Sequence, residues 1–172
     1  MSKNEQTDQD GLTRGNVEGL VQALRFRFPD DDVSATARLL DRQAPHTCDV
    51  VVAALPHAGE ALHGEHSGPE VFTFLPASIH APEENSTTQV KERDVGFLRF
   101  RGGTDFAQND KIVSEIAWFY GDHAVPSMRD GPIAVNVFAR FDLPGWAEFA
   151  AVCRRMKPGE SRRLIIERVE RA

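Results

Sequence analysis

Several stretches of this chain carry residue types that do chemistry. His63-Gly64-Glu65-His66 with Glu70 gathers imidazoles and carboxylates in a short span, a set that offers ligands to Zn, Fe or Mn. The spacing argues against a metal. Along a strand, side chains alternate, so His63 and Glu65 share one face and His66 takes the other. Both imidazoles meet one ion only if the chain bends at Gly64, and no metal is expected. Glu115 lies mid-way through an apolar run, between Val113 and Ala117. A carboxylate on a buried face is costly unless paired or hydrogen-bonded, and where it is tolerated it is a site candidate. Two placements stay open for it, a buried one with a partner and a solvent-facing one. Asn136 and Arg140 share a face of the following apolar segment, within reach of Glu115. Trp118 and Tyr120 fall on the face opposite Glu115, where aromatics at strand spacing are core first and pocket lining second. Gly102-Gly103 could wrap a phosphate with backbone N–H groups, but neither a Gly-Lys-Ser/Thr ending nor a helix start follows. No Ser/His/Asp set has recognisable surroundings, and neither cysteine has an activating histidine nearby. The candidate ligand-binding set is His63, Glu70, Glu115, Tyr120 and Arg140. In it Arg140 would meet an anionic group and His63 would exchange a hydrogen bond. No cofactor is expected.

The elements that must position these residues are mostly strands. Leu24–Phe28 and Val33–Leu39 alternate apolar and polar residues around a Pro29-Asp30-Asp31-Asp32 turn, the pattern of a hairpin. From Pro45, Cys48, Val51, Val52 and Leu55 recur at helical spacing, with Pro suited to a first helical turn and Pro56 as the stop. Residues 60–66 and 70–75 read as strands split by Ser67-Gly68-Pro69. Polar loops cover 81–92 and 101–111. Val95–Phe100, Ile112–Tyr120 and Ile133–Phe141 read as further strands. Residues 145–156 form an amphipathic helix with Trp146, Phe149, Ala150 and Cys153 on one face, and 162–169 a last strand. Eight strands and two short helices predict an all-β, closed eight-stranded barrel, since closure buries one face of each strand and removes edges.

Composition bounds the function classes. The chain has 172 residues, with 41% hydrophobic residues and a net charge of −6; its mean hydropathy is −0.38. One domain of residues 21–172, behind a polar arm at 1–20, accounts for that length. No run approaches the ~20 apolar residues of a membrane span, and the polar start carries no signal peptide. A cytoplasmic protein is expected. From Arg140 to Ala172, eight Lys/Arg face five acids. That end is mildly basic, but an acidic whole argues against a nucleic-acid partner. Cys48 and Cys153 sit among apolar residues as free buried thiols.

Thr36-Ala37-Arg38-Leu39-Leu40-Asp41 followed by Ala44-Pro45-His46-Thr47-Cys48 resembles the opening of cyclophilin-type barrels. Further on, the chain is similar to the bacterial cyclophilin-like proteins of unknown function grouped as DUF3830. That similarity rests on Gly59–His63, Ser67–Val71, Pro82–Asn85, Glu115–Gly121 and Asn136–Arg140, and it spans about residues 24–170. The resemblance implies a cyclophilin-like barrel. It does not extend to the isomerases' Phe-His-Arg strand, which is missing here. It therefore implies a binding protein for a small molecule or peptide without classical prolyl isomerase activity. The alternatives are an isomerase with a rebuilt site, a cupin-like metal enzyme, and a module that pairs with its own copies as a homo-oligomer.

Overall fold

The computed structural model describes residues 22–76, 78–101 and 112–170. Its elements are β1 (Gln22–Phe28), a 3-10 turn at Pro29–Asp31, β2 (Val33–Leu39), α1 (Pro45–Ala53), β3 (His57–His63), β4 (Glu70–Leu75), β5 (Ser86–Thr87), β6 (Asp94–Arg101), β7 (Ile112–Phe119), β8 (Ser127–Met128), β9 (Gly131–Pro132), β10 (Val135–Phe141), α2 (Trp146–Arg155) and β11 (Ser161–Glu170). The antiparallel order β2-β1-β11-β3-β4-β7-β6-β10 closes when β10 pairs back to β2, with Arg140 opposite Arg38. This is the closed eight-stranded barrel that the alternation predicts. The arm at 1–20 and the Gly102-Gly103 loop lie outside the described residues. Among those described, no helix is long and apolar enough to cross a membrane.

Alternation decides what fills the barrel. Leu24, Phe26 and Phe28 from β1, Ala35 and Ala37 from β2, and Ile116 and Trp118 from β7 form one inner cluster. Trp118 is fully buried, edge-on to Phe26 at 5.5 Å between ring centroids. Both helices feed this cluster, α1 through Cys48 and Val51, α2 through Trp146, Phe149, Ala150 and Cys153. The start of α1 has no side-chain cap of its own. Glu84, from the loop before β5, supplies one. Its carboxylate accepts from the N–H groups of His46 and Thr47 and from the Thr47 hydroxyl, satisfying donors that a helix start leaves open.

Two local features differ from the alternation. β3 ends at His63 rather than at 66, because Gly64 to Pro69 form a loop with Gly68 at φ +79°; His66 is therefore not a strand residue. A bulge in β10 between Val137 and Ala139 resets the parity. Val135 and Val137 pack in an outer cluster, while Ala139 and Phe141 pack in the inner one. Asn136 and Arg140 thus fall on opposite faces, not on the one face that plain alternation predicts.

Candidate functional site

The outer face of β4, β7 and β6 is also buried. Phe72, Leu98, Ala117 and Phe119 form a second cluster with Ala124, Val135 and Val137. Two loops lie across it, one from Gly64 to Pro69, the other carrying β8 and β9. They are tied to each other. The Val125 N–H donates to the Ser67 carbonyl (3.0 Å), and the Ser127 N–H donates to Ser67 Oγ (2.9 Å). Gly131, at φ +128°, turns the β8–β9 hairpin in a conformation that glycine adopts freely.

Between this face and the loops lies a pocket with about 40 Å³ of water-accessible space. Phe72, Phe74, Leu98, Phe100, Met128 and Ile133 make it apolar; Glu70 and Glu115 also line it. Glu115 is 6% exposed and Glu70 7%. Glu115 sits in register between Phe74 on one side and Leu98 on the other. Neither neighbour can donate a hydrogen bond, and among the described residues no group donates to its carboxylate. Burial pushes its pKa well above the usual carboxylate range, and the nearby Glu70 charge pushes it further. Burial likewise raises Glu70 to about 7, against the pull of a hydrogen bond from Ser67. Gly64 makes room for that carboxylate. A Cβ there would stand 2.8 Å from Glu70 Oε1.

The five residues singled out by the sequence fall into three places. Glu70 and Glu115 share the outer pocket. His63 and Tyr120 meet elsewhere, on the inner side where Tyr120 packs against the inner cluster. There the His63 ring lies 2.7 Å from the Gly64 carbonyl through Nδ1 and 2.7 Å from the Tyr120 hydroxyl through Nε2. A neutral ring must donate from Nδ1 to the carbonyl and accept the phenol proton at Nε2. Burial raises the Tyr120 pKa. Arg140 does not reach Glu115: its Nε and Nη2 donate to Asp94 Oδ1 at 2.8 and 2.6 Å. Asn136 is engaged with Thr47 and the Pro82 carbonyl. Burial raises both thiols to about 12, so Cys48 and Cys153 stay protonated. No group of three or more metal-capable side chains occurs among the described residues.

Sequence reasoning missed the pocket's apolar walls and the covering hairpin. The signal for the walls was present, because Val71-Phe72-Thr73-Phe74-Leu75 and Phe97-Leu98 are apolar on both parities, the mark of a strand buried on both faces.

A family model described as a protein of unknown function, DUF3830, matches residues 27–163. No curated protein matches the chain. The barrel is similar to the solution structure of the hypothetical protein AF2241 from Archaeoglobus fulgidus, with TM-score 0.57 and 21% identity over 90% of this chain and 99% of that one. It is also similar to McbB, solved in complex with tryptophan, with TM-score 0.55 and 13% identity. That match covers 85% of this chain, which spans 44% of the McbB chain. At these identities the likenesses speak to the fold.

Proposed function

We propose that this chain, which belongs to the DUF3830 family of proteins of unknown function, binds a small, largely apolar molecule in the pocket outside the barrel wall. One observation carries this reading. Glu115 is a buried carboxylate with no donor among the described residues, in a pocket that Phe72, Phe74, Leu98 and Phe100 wall on the barrel side and that Glu65, His66, Glu70 and Arg129 also line. Buried polar groups are nearly always satisfied, and an apolar pocket with a few convergent polar groups is the usual form of a ligand site. About 40 Å³ of open space admits the slim end of a molecule, whereas a whole benzene ring needs about 150 Å³. It favours a small molecule over a folded peptide or a second copy of the chain. Prolyl isomerisation stays outside this reading, since no Phe-His-Arg strand occurs in the sequence. The two buried free thiols fit a reducing, cytoplasmic setting.

The test is 19F NMR of a slim neutral aromatic, 4-fluorobenzyl alcohol, with the full chain. Binding should broaden and shift its signal. Ile133→Trp, which fills the pocket from the hairpin side, should remove the effect. No binding to the wild type, or binding untouched by Ile133→Trp, overturns the reading.

A further inference from the structure

The pocket's charged residues give it a chemical preference. We infer that its ligand presents a protonated primary amine to Glu115, so that the pocket selects slim lipophilic amines over neutral molecules of the same shape. This deepens the reading of the pocket as a binding site and rests on it.

The Glu115 oxygens face no donor among the described residues, and their cross-strand neighbours are Phe74 and Leu98. A carboxyl so placed is stable in two ways, protonated or met by a cation. An ammonium offers three N–H donors on a compact charge and fits a site whose own protein supplies none. The rest of the lining favours the same sign. Glu65 and Glu70 add two further acids, against Arg129 and His66, and the last two have contacts of their own. Burial raises the Glu70 carboxyl to about 7, so at neutral pH it is partly ionised and adds negative potential to the pocket. The Phe74 and Phe100 rings also line it, and aromatic faces attract a desolvated ammonium. An anionic guest would meet Glu65, Glu70 and Glu115 beside Arg129 and His66, and a neutral one would leave Glu115 to keep its proton. When the ammonium enters, the Glu115 carboxyl releases its proton to solvent and the carboxylate oxygen accepts an N–H. No bond in the ligand changes.

The experiment compares 4-fluorobenzylamine with 4-fluorobenzyl alcohol by 19F NMR titration at neutral pH, on the full chain and on Glu115→Gln. The ring is common to both probes, so the difference reports the amine. The wild type should bind the amine at least roughly tenfold more tightly, the scale of one buried charge-assisted hydrogen bond. Glu115→Gln should erase that preference while the alcohol still binds. Equal affinities in the wild type, or a preference for the alcohol, overturn the inference, and so does an amine preference that survives Glu115→Gln. If Glu115→Gln does not fold, the wild-type comparison and its release of about one proton per amine, read by calorimetry in two buffers, decide alone. Alcohol that binds in an Ile133-sensitive way without an amine preference overturns this inference and leaves the pocket standing. Neither probe binding removes both.

Discussion

The two faces of β7 are both buried, but by different chemistry. On the inner face, Ile116 and Trp118 pack in the inner cluster, Trp118 against aromatic rings, and the polar atoms of Ser114 and Trp118 have partners. Ser114 Oγ donates to the Ile79 carbonyl at 2.8 Å, and Trp118 Nε1 donates to Cys153 Sγ at 3.3 Å. On the outer face, Glu115, Ala117 and Phe119 meet an apolar wall that leaves the carboxylate without a donor among the described residues. Inside, side chains fill the barrel and every contact serves stability. Outside, a charge-capable group has been kept where stability alone favours a leucine. A site that works against its own stability is where function is expected.

The largest effect that would break this contrast is on the inner side. Trp118→Ala removes a fully buried indole ringed by Phe26, Phe28 and Phe149. It should cost about 3–5 kcal/mol in denaturant unfolding. A loss below about 1 kcal/mol would mean that the inner face is not the core.

Next comes Glu70 and the pH dependence of stability. The folded protein holds the Glu70 proton up to about pH 7, while the unfolded chain releases it near 4.5. Between those values the folded state binds more protons, so this group's contribution to stability falls as pH rises through the window, by about 3 kcal/mol in all. Glu84 works with the opposite sign. Desolvation there is outweighed by the Thr47 and His46 hydrogen bonds, which hold it near 2; its contribution is present above pH 4.5 and lost as pH falls toward 2. Unfolding of Glu70→Gln across pH 4–8 should decline less steeply than the wild type between 4.5 and 7, the remaining slope coming from Glu115, whose carboxyl burial also raises. An unchanged decline would place the Glu70 proton elsewhere.

A smaller effect tests the seat of that carboxylate. Gly64→Ala puts a Cβ 2.8 Å from Glu70 Oε1. The end of the glutamate can turn away, so the cost should be about 1 kcal/mol, the low end for overpacking. The carboxylate should then titrate nearer its ordinary value, which NMR of labelled glutamate would show. An unmoved titration would mean that Gly64 does not shape the pocket.

The barrel was legible because one physical rule, alternation against a single core, governs most of its strands. The pair Ile116 and Trp118 against Glu115 was assigned to opposite faces from that rule. Residues such as Phe28 and Trp118 announce the inner core by size alone. The rule failed where the chain departs from regular pairing. The β10 bulge turned Arg140 away from Asn136, and the loop at Gly64 took His66 out of β3. Strands β5, β8 and β9 are two residues long and have no period to read. The site was legible as residues and not as a place. Glu70 and Glu115 stand 45 positions apart, and only the β4–β7 pairing brings them to one face. Parity separates the two faces of a strand, but it does not say that loops cover the outer one. The doubly apolar β4 carried that information.

The smallest expected effect sharpens the contrast most. Glu115→Gln replaces a carboxyl that burial holds well above the usual range, so near pH 4.5 the folded wild type keeps its proton and the amide is close to its isostere. There stability should change by less than about 1 kcal/mol in either direction. As pH rises from that point the two should diverge. The unfolded wild type releases a proton that its folded state keeps, and the variant has none to lose, so Glu115→Gln should gain on the wild type. Denaturant midpoints of both proteins near pH 4.5 and at pH 7 decide the matter. A large loss at pH 7 would mean that Glu115 holds the barrel wall together as an ionised, partnered group, and the outer face would then be core of the same kind as the inner one.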